Sequence, residues 1–283
     1  MEKILTIDFK SKSAPTDFVK SLSSTGFAVI QNHGIDQALI NDTYEDWKLF
    51  FDSDIKHDYL FDLDKQDGYF TFKSENAQGS NTKDLKEFFH IYRWGRYPKE
   101  ISSITKKMHQ SLIELGSDLL DYLDEYAPDY VRSKFSMKLS EMINDSGQNL
   151  LRVIHYPPIK KEDILDGAIR AEAHTDINLI TILIAEPGLQ VVNSSGDWVD
   201  VELSENSIVV NIGDMLQKCS GGFYKSTIHR VINPSGANRS RYSMPLFIHP
   251  RDEVRLSADL TAKTYLEQRL RHIGLKKIFK FSL

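Results

Sequence analysis

The stretch AEAHTDINLITILI, residues 171–184, decides how this chain is read. A short polar segment with His174 and Asp176 two apart runs into the apolar, β-branched run Leu179–Ile184. Runs of the same texture lie around it: Leu150–Ile154, Leu189–Val192, Ser207–Ile212, Ser226–Ile232 and Tyr242–His249. Turn-forming residues separate them, among them Pro157-Pro158, Pro187-Gly188, Gly213-Asp214, Gly221-Gly222 and Asn233-Pro234-Ser235-Gly236. Many short strands with such punctuation predict a sandwich or barrel over residues 149–250. Periodicity alone gives no strand order.

Residues upstream read differently. Phe27–Ile30 is an apolar run between Gly26 and Gln31-Asn32-His33-Gly34, which predicts a buried strand ending in a turn. Residues 35–51 carry Ile35, Leu39, Ile40, Trp47 and Phe50 near one helical face. Residues 101–125 place Ile101, Ile104, Met108, Leu112, Leu115 and Leu119 at three- and four-residue steps, the pattern of an amphipathic packing helix. The Gly-, Ser- and Asn-rich span 66–82 predicts a loop. No linker, repeat or low-complexity tract divides the chain. The expectation is one domain over residues 1–283, with a mainly helical region at 1–130 and a β core at 149–250.

In a strand, residues two apart point the same way, so His174 and Asp176 can reach one metal while Thr175 turns away. Alone, His-x-Asp is a weak signal. His229, in the strand-like run Ser226–Ile232, supplies a third donor. Two imidazoles and one carboxylate occupy one face of an octahedron and leave the other open, the ligand set of non-haem iron(II) oxygenases. Taken singly, His229 reads equally well as a hydrogen-bonded core histidine. Arg241 and Ser243 share a strand face in their turn. A guanidinium fork with a hydroxyl beside it can grip a carboxylate, such as the far end of 2-oxoglutarate. Apolar neighbours Met244, Leu246, Phe247 and Ile248 favour a buried anion site over a surface ion pair.

Bulk properties exclude other classes. Thirty-five Lys and Arg against forty Asp and Glu leave a net charge of -5, without the basic excess of a nucleic-acid binder. The single cysteine, Cys219, cannot form an intramolecular disulfide and reads as a partly buried structural thiol. The first residues lack the apolar core and cleavage site of a secretory signal, and no apolar run approaches membrane-spanning length. A cytoplasmic protein with a small-molecule substrate is the expectation, without nucleic-acid or membrane partners.

Eight segments, in order, resemble the isopenicillin N synthase-like family of iron(II)/2-oxoglutarate-dependent dioxygenases. They are GFAVIQNHGI (26–35), DLKEFF (84–89), RVIHYPP (152–158), AHTD through TIL (173–183), PGLQV (187–191), NIGD (211–214), YKSTIHRV (224–231) and RYS (241–243). The resemblance covers most of the chain. It implies an α+β fold with a mainly β core, a double-stranded β-helix (jelly roll) with N-terminal and flanking helices. It implies Fe(2+) on His174, Asp176 and His229. It places the carboxylate of 2-oxoglutarate on Arg241 and Ser243, with Tyr156 as a further contact, and makes O2 the oxidant. Family position points to His90, Tyr92, Leu189 and Phe247 around the substrate. His33 belongs to a structural turn in this family and is not a ligand.

The chain departs from the family at Ile154 and His155, where Asn and Tyr are usual. His155 should face away from Tyr156, as a structural histidine. The basic segment 276–281 reads as a solvated tail or, alternatively, as a lid. Three other readings stay open: an iron oxidase of the same fold that does not consume 2-oxoglutarate, a catalytically silent metabolite-binding protein, and a zinc site built on the same donors. Oxidation by the dioxygenase could mean hydroxylation, desaturation or ring closure.

Overall fold

The computed structural model describes residues 3–75, 83–163, 168–233, 236, 238–272 and 274–275. The basic segment 276–281 and part of the expected loop at 66–82 therefore lie outside the described residues.

Chain order sets up two sheets. The first strands are β1 (Thr6–Asp8), β2 (Phe27–Gln31), β3 (Gly68–Phe70) and β4 (Glu87–Ile91). The downstream half adds β5 (Leu150–Tyr156), β6 (Ala171–His174), β7 (Ile180–Ala185), β8 (Leu189–Val192), β9 (Trp198–Asp200), β10 (Ile208–Ile212), β11 (His229–Val231) and β12 (Arg241–Ile248). A major sheet runs β1-β2-β10-β7-β12-β5-β4-β3, and a minor sheet runs β6-β11-β8-β9. All pairings are antiparallel except β1 with β2. The arrangement is a jelly roll. A small hairpin, β13 (Arg255–Ser257) with β14 (Leu260–Thr261), follows it.

Strand alternation divides the interior in two. Ile208, Val210 and Ile212 of β10, Ile180, Ile182 and Ile184 of β7, and Tyr242, Met244, Leu246 and Ile248 of β12 face the helices. The odd-numbered residues of these strands face the minor sheet. There Val209 packs with Phe27, Phe88, Ile154, Tyr156, Leu189, Val191 and Val231. Each such apolar side chain contributes on the order of 1.5–3 kcal/mol when fully buried.

Helices cover the outer face of the major sheet. They are α1 (Ala14–Thr25), α2 (Gln37–Asp52), α3 (Ile104–Glu125) and the single turns α4 (Asp129–Arg132) and α5 (Leu139–Met142). Met108, Leu112, Leu115 and Leu119 of the predicted stripe are buried along α3 and are joined by Leu123, whereas Ile101 lies ahead of the helix and Ile104 is only partly buried. Gly116 interrupts that stripe for a steric reason: a Cβ there would lie 2.0 Å from Ile248 Cδ1. Trp47 of α2 is fully buried and donates its indole N–H to Thr105 Oγ1 at 3.0 Å, tying α2 to α3. Downstream come α6 (Asp214–Cys219) and α7 (Ala262–His272). Cys219 is buried, and that burial pushes its thiol pKa up to about 12. Among the described residues, no helix is long and apolar enough to cross a membrane.

Two expectations need adjusting. Gly68–Phe70, inside the span read as loop, is an edge strand paired with β4. Its three residues are too few for periodicity to show; ring stacking of Phe70 on Phe88 at 4.3 Å holds it in place. Residues 1–130 supply β1, β3 and β4 to the major sheet as well as the expected strand β2; β4 is buried along its whole length and shows no alternation.

Gly26 joins the helical and sheet layers. It ends α1 with φ +75°, donates to Leu22 O at 3.0 Å, and accepts from Ile212 N–H at 3.0 Å. A Cβ there would lie 2.3 Å from Thr227 Oγ1 and 2.6 Å from Lys225 O. Gly26→Ala is expected to cost at least about 1–3 kcal/mol from the left-handed backbone alone. Urea denaturation measures it; an unchanged midpoint would show that the junction relaxes freely.

Candidate metal centre

The β6–β11 pairing sets His174 directly opposite His229. Their rings lie 4.4 Å apart, centroid to centroid. Asp176 Oδ1 is 4.0 Å from His174 Nε2 and 3.8 Å from His229 Nε2. One ligand atom from each residue falls within 4.8 Å of the others.

Asp176 reaches this point by a different route from the one the sequence suggests. His174 is the last residue of β6, and Asp176 lies beyond it in the turn toward β7. Simple strand alternation therefore does not position it. The turn is held instead by Asp214 N–H donating to Asp176 O at 2.7 Å, and by Gly213 N–H donating to Leu179 O at 2.9 Å. Gly213 must be glycine: a Cβ would lie 2.1 Å from Asn178 O.

Hydrogen bonds then orient each donor. His174 Nδ1 lies 2.6 Å from Glu172 O, and His229 Nδ1 lies 3.1 Å from Thr227 O. A carbonyl only accepts, so each neutral ring carries its proton on Nδ1 and turns the Nε2 lone pair to the shared gap. Asp176 Oδ2 accepts from Thr181 Oγ1 at 2.5 Å and Asn211 Nδ2 at 2.7 Å, leaving Oδ1 for the gap. Phe27 packs edge-on against His229 at 5.5 Å.

Electrostatics keep the donors in metal-binding form. Burial, and then the neighbouring His229, push the His174 pKa down to about 4, so its imidazole is neutral at pH 7. Burial pushes the Asp176 carboxyl up. The charges of His229 and His174 and the bonds from Asn211 and Thr181 outweigh it and hold the pKa below the ordinary value.

Arg241 and Ser243 lie on the inner face of β12, both 2% exposed, in register with Tyr156 and Ile154 of β5. The Arg241 guanidinium sits 4.9 Å from the Tyr156 ring centroid. It donates to Pro187 O at 3.2 Å and Glu186 O at 2.7 Å, while Nη1 is buried without a partner. That unspent donor suits a carboxylate oxygen. His155 faces the other side, as expected, against Glu87 at 2.7 Å and stacked on Tyr242 at 4.6 Å.

A cavity of about 1010 Å³ opens beside His174 and Asp176, with His90, Tyr92 and Phe247 in its wall. Leu189 is instead packed between the two sheets with Val231 and Tyr156. Sequence reasoning named His90 and Phe247 but missed Arg152, which touches both. Arg152 lines the cavity, donates to His90 Nε2 at 3.0 Å, and lies 4.3 Å from the Phe88 ring and 5.2 Å from the Phe247 ring. Its place on the Tyr156 face of β5, four residues earlier, was the available signal. Glu75 is 3.0 Å from Lys86 and 3.7 Å from Arg152. Burial would raise the Glu75 pKa, but Lys86 and Arg152 bring it down to about 2. His90 is pushed well below its ordinary value by burial and by Arg152, so it is neutral and accepts the Arg152 bond. His249 also lines the cavity with a buried, unpartnered Nε2.

Residues 147–250 match the profile of the 2OG-Fe(II) oxygenase superfamily, and residues 6–111 match that of the non-haem dioxygenase in morphine synthesis N-terminal region. A 2-oxoglutarate-Fe(II) type oxidoreductase of Emericella nidulans is 30% identical over 259 residues, spanning 81% of this chain and 71% of the relative. A crystal structure described as that of an oxygenase from Shewanella oneidensis superposes with a TM-score of 0.87 at 44% identity, covering 96% of this chain and 99% of that one. A 2OG-Fe(II) oxygenase family protein from Caulobacter crescentus gives 0.79 at 29% identity, covering 96% and 100%.

Removing the hydrogen bonds behind Asp176 should loosen the centre without removing a donor. Asn211→Ala combined with Thr181→Val is expected to weaken iron(II) binding roughly 10–100-fold. Anaerobic metal titration of the folded variant is the check, and wild-type affinity would mean these bonds do not set the carboxylate.

Proposed function

Because the chain belongs to the 2OG-Fe(II) oxygenase superfamily, we propose that His174, Asp176 and His229 hold its iron(II) and that Arg241, Ser243 and Tyr156 hold the far carboxylate of 2-oxoglutarate. The enzyme is a dioxygenase that uses iron(II), 2-oxoglutarate and dioxygen to oxidise a small molecule. The observation that carries the residue assignment is the convergence of two Nε2 lone pairs and one free carboxylate oxygen, each fixed from behind by its own hydrogen bond.

Bound iron would let dioxygen act as the four-electron oxidant, two electrons coming from 2-oxoglutarate as it becomes succinate and carbon dioxide and two from a substrate C–H bond. The protein's own work is to bind, orient and shield. Asp176 supplies the charge that a dication needs, and the two neutral imidazoles supply the remaining donors. Arg241 Nη1 offers a buried, unpartnered donor, and Ser243 sits beside it on the same strand face, a pairing suited to a carboxylate. Val209 and Val191, with the partly buried Leu183, pack in the apolar cluster between the sheets. No protein side chain needs to act as a general acid or base.

The substrate side we assign to the cavity next to His174, with Phe247, Tyr92, His90 and Arg152 in its wall. Apolar rings beside a guanidinium suit a compact, partly polar molecule. Leu189, packed between the sheets, shapes that interior from behind. The whole chain, 1–283, acts as one oxygenase unit with residues 149–250 as its catalytic core. The acidic net charge and the buried Cys219 support a cytoplasmic enzyme acting on a soluble metabolite, without nucleic-acid or membrane partners.

Asp176→Ala is expected to lose both tight iron binding and substrate-dependent succinate release. Arg241→Met is expected to raise the 2-oxoglutarate concentration needed for half-maximal rate by roughly 30-fold or more, the equivalent of the ~2 kcal/mol lower bound for breaking a buried charged pair. Succinate measured over a screen of small metabolites tests both. Undiminished succinate release by Asp176→Ala would sink the metal assignment, and an unshifted requirement in Arg241→Met would sink the carboxylate assignment.

A further inference from the structure

We propose that Arg170 is a second cationic arm for the far carboxylate of 2-oxoglutarate, acting with Arg241 on either side of contact with Tyr156. The inference rests on the assignment of that carboxylate to Arg241.

Arg170 immediately precedes β6 and is 4% exposed. Its guanidinium lies 5.7 Å from the Tyr156 ring centroid, where that of Arg241 lies 4.9 Å away. Two cations therefore meet at one buried ring. Each keeps an unspent donor: Arg170 Nε and Arg241 Nη1 are both buried with no hydrogen-bond partner. Their other bonds go to backbone carbonyls, Arg170 Nη2 to Arg239 O at 3.0 Å and Arg241 to Glu186 O and Pro187 O. Carbonyls satisfy N–H groups but do not neutralise charge.

Among the described residues, no carboxylate forms an ion pair with Arg170 or Arg241. The Glu186 side chain lies 3.9 Å from Arg239 instead and is largely exposed. Burial, and then the neighbouring charge of Arg241, hold the Arg170 pKa below its ordinary value. Two buried like charges with two free donors need an anion, and a carboxylate with two oxygens supplies one acceptor to each.

Position fits the same ligand. Arg170 stands just ahead of β6 and His174 at its far end, four residues or roughly 13 Å of extended chain apart. One neutral competitor exists. Asn233 Oδ1 is also buried and unpartnered, with its Nδ2 donating to Ala168 O at 2.8 Å. It could accept from Arg170 but could not balance its charge.

Pyruvate separates these roles, because it has the same 2-oxo acid head and no far carboxylate. Dissociation constants for 2-oxoglutarate and pyruvate are measured anaerobically by calorimetry on the iron(II)-loaded protein. R170M is expected to weaken 2-oxoglutarate binding tenfold or more while pyruvate stays within twofold of wild type. R170K, which keeps the charge and loses the planar fork, should recover part of the loss. It also serves as the readable variant if R170M does not fold.

If both acids weaken together, or neither changes, Arg170 is a packing residue satisfied by Asn233 and the proposal is overturned. R241M distinguishes the two levels. If it erases the preference for 2-oxoglutarate over pyruvate and the Arg170 variants do not, only the second arm fails. If R241M also leaves that preference intact, the carboxylate assignment itself is wrong.

Discussion

Everything at the centre depends on one strand pairing: β6 against β11, with His174 opposite His229. That register brings two imidazoles within ring contact and leaves a single gap to be filled by a carboxylate. A slip of one residue would turn His229 to the other face of the minor sheet and leave no site. The register is protected from both sides. β8 pairs with β11 through Val191 and Leu189, and the inner core between the sheets packs against the same strands.

The third donor depends on polar groups that have no other reason to be buried. Asp176, Thr181 and Asn211 form a closed network beneath the gap, in an interior where an unsatisfied polar atom is costly. Strand register delivers two of them: Asn211 of β10 and Thr181 of β7 are direct partners. The same two strands bury Ile180, Ile182, Val210 and Ile212 on their outer face, against the helices. The scaffold thus spends one strand face on stability and the other on placing the site. The strand face proposed for the cosubstrate follows the same logic, with Tyr242 and Met244 packed outward while Arg241 and Ser243 turn inward.

Much of this was legible in the residues. Leu189–Val192 is a strand with the bounds read from the chain, and α3 carries its predicted stripe. The meeting of His174, Asp176 and His229 was foreshadowed by their residue types and order, although Asp176 sits in the turn beyond β6 and not in a strand. Other features were not. The Asp176 turn depends on backbone bonds from Gly213 and Asp214, and a sequence records no backbone bond. β3 is three residues long and is held by Phe70 on Phe88, a long-range ring contact with no local period. Arg152 and Arg170 look like ordinary surface cations until the fold draws Arg152 against His90 and buries Arg170. Only the register with His90 and the approach to Tyr156 reveal what they face.

The most direct test of the account is an anaerobic titration of the metal-free protein with iron(II) and then with 2-oxoglutarate, followed by visible absorption. The account predicts tight iron binding, then a weak charge-transfer band as the cosubstrate chelates the metal, saturating in proportion to bound iron. Iron that binds without the band appearing on addition of 2-oxoglutarate, or protein that fails to bind iron at all, would contradict it.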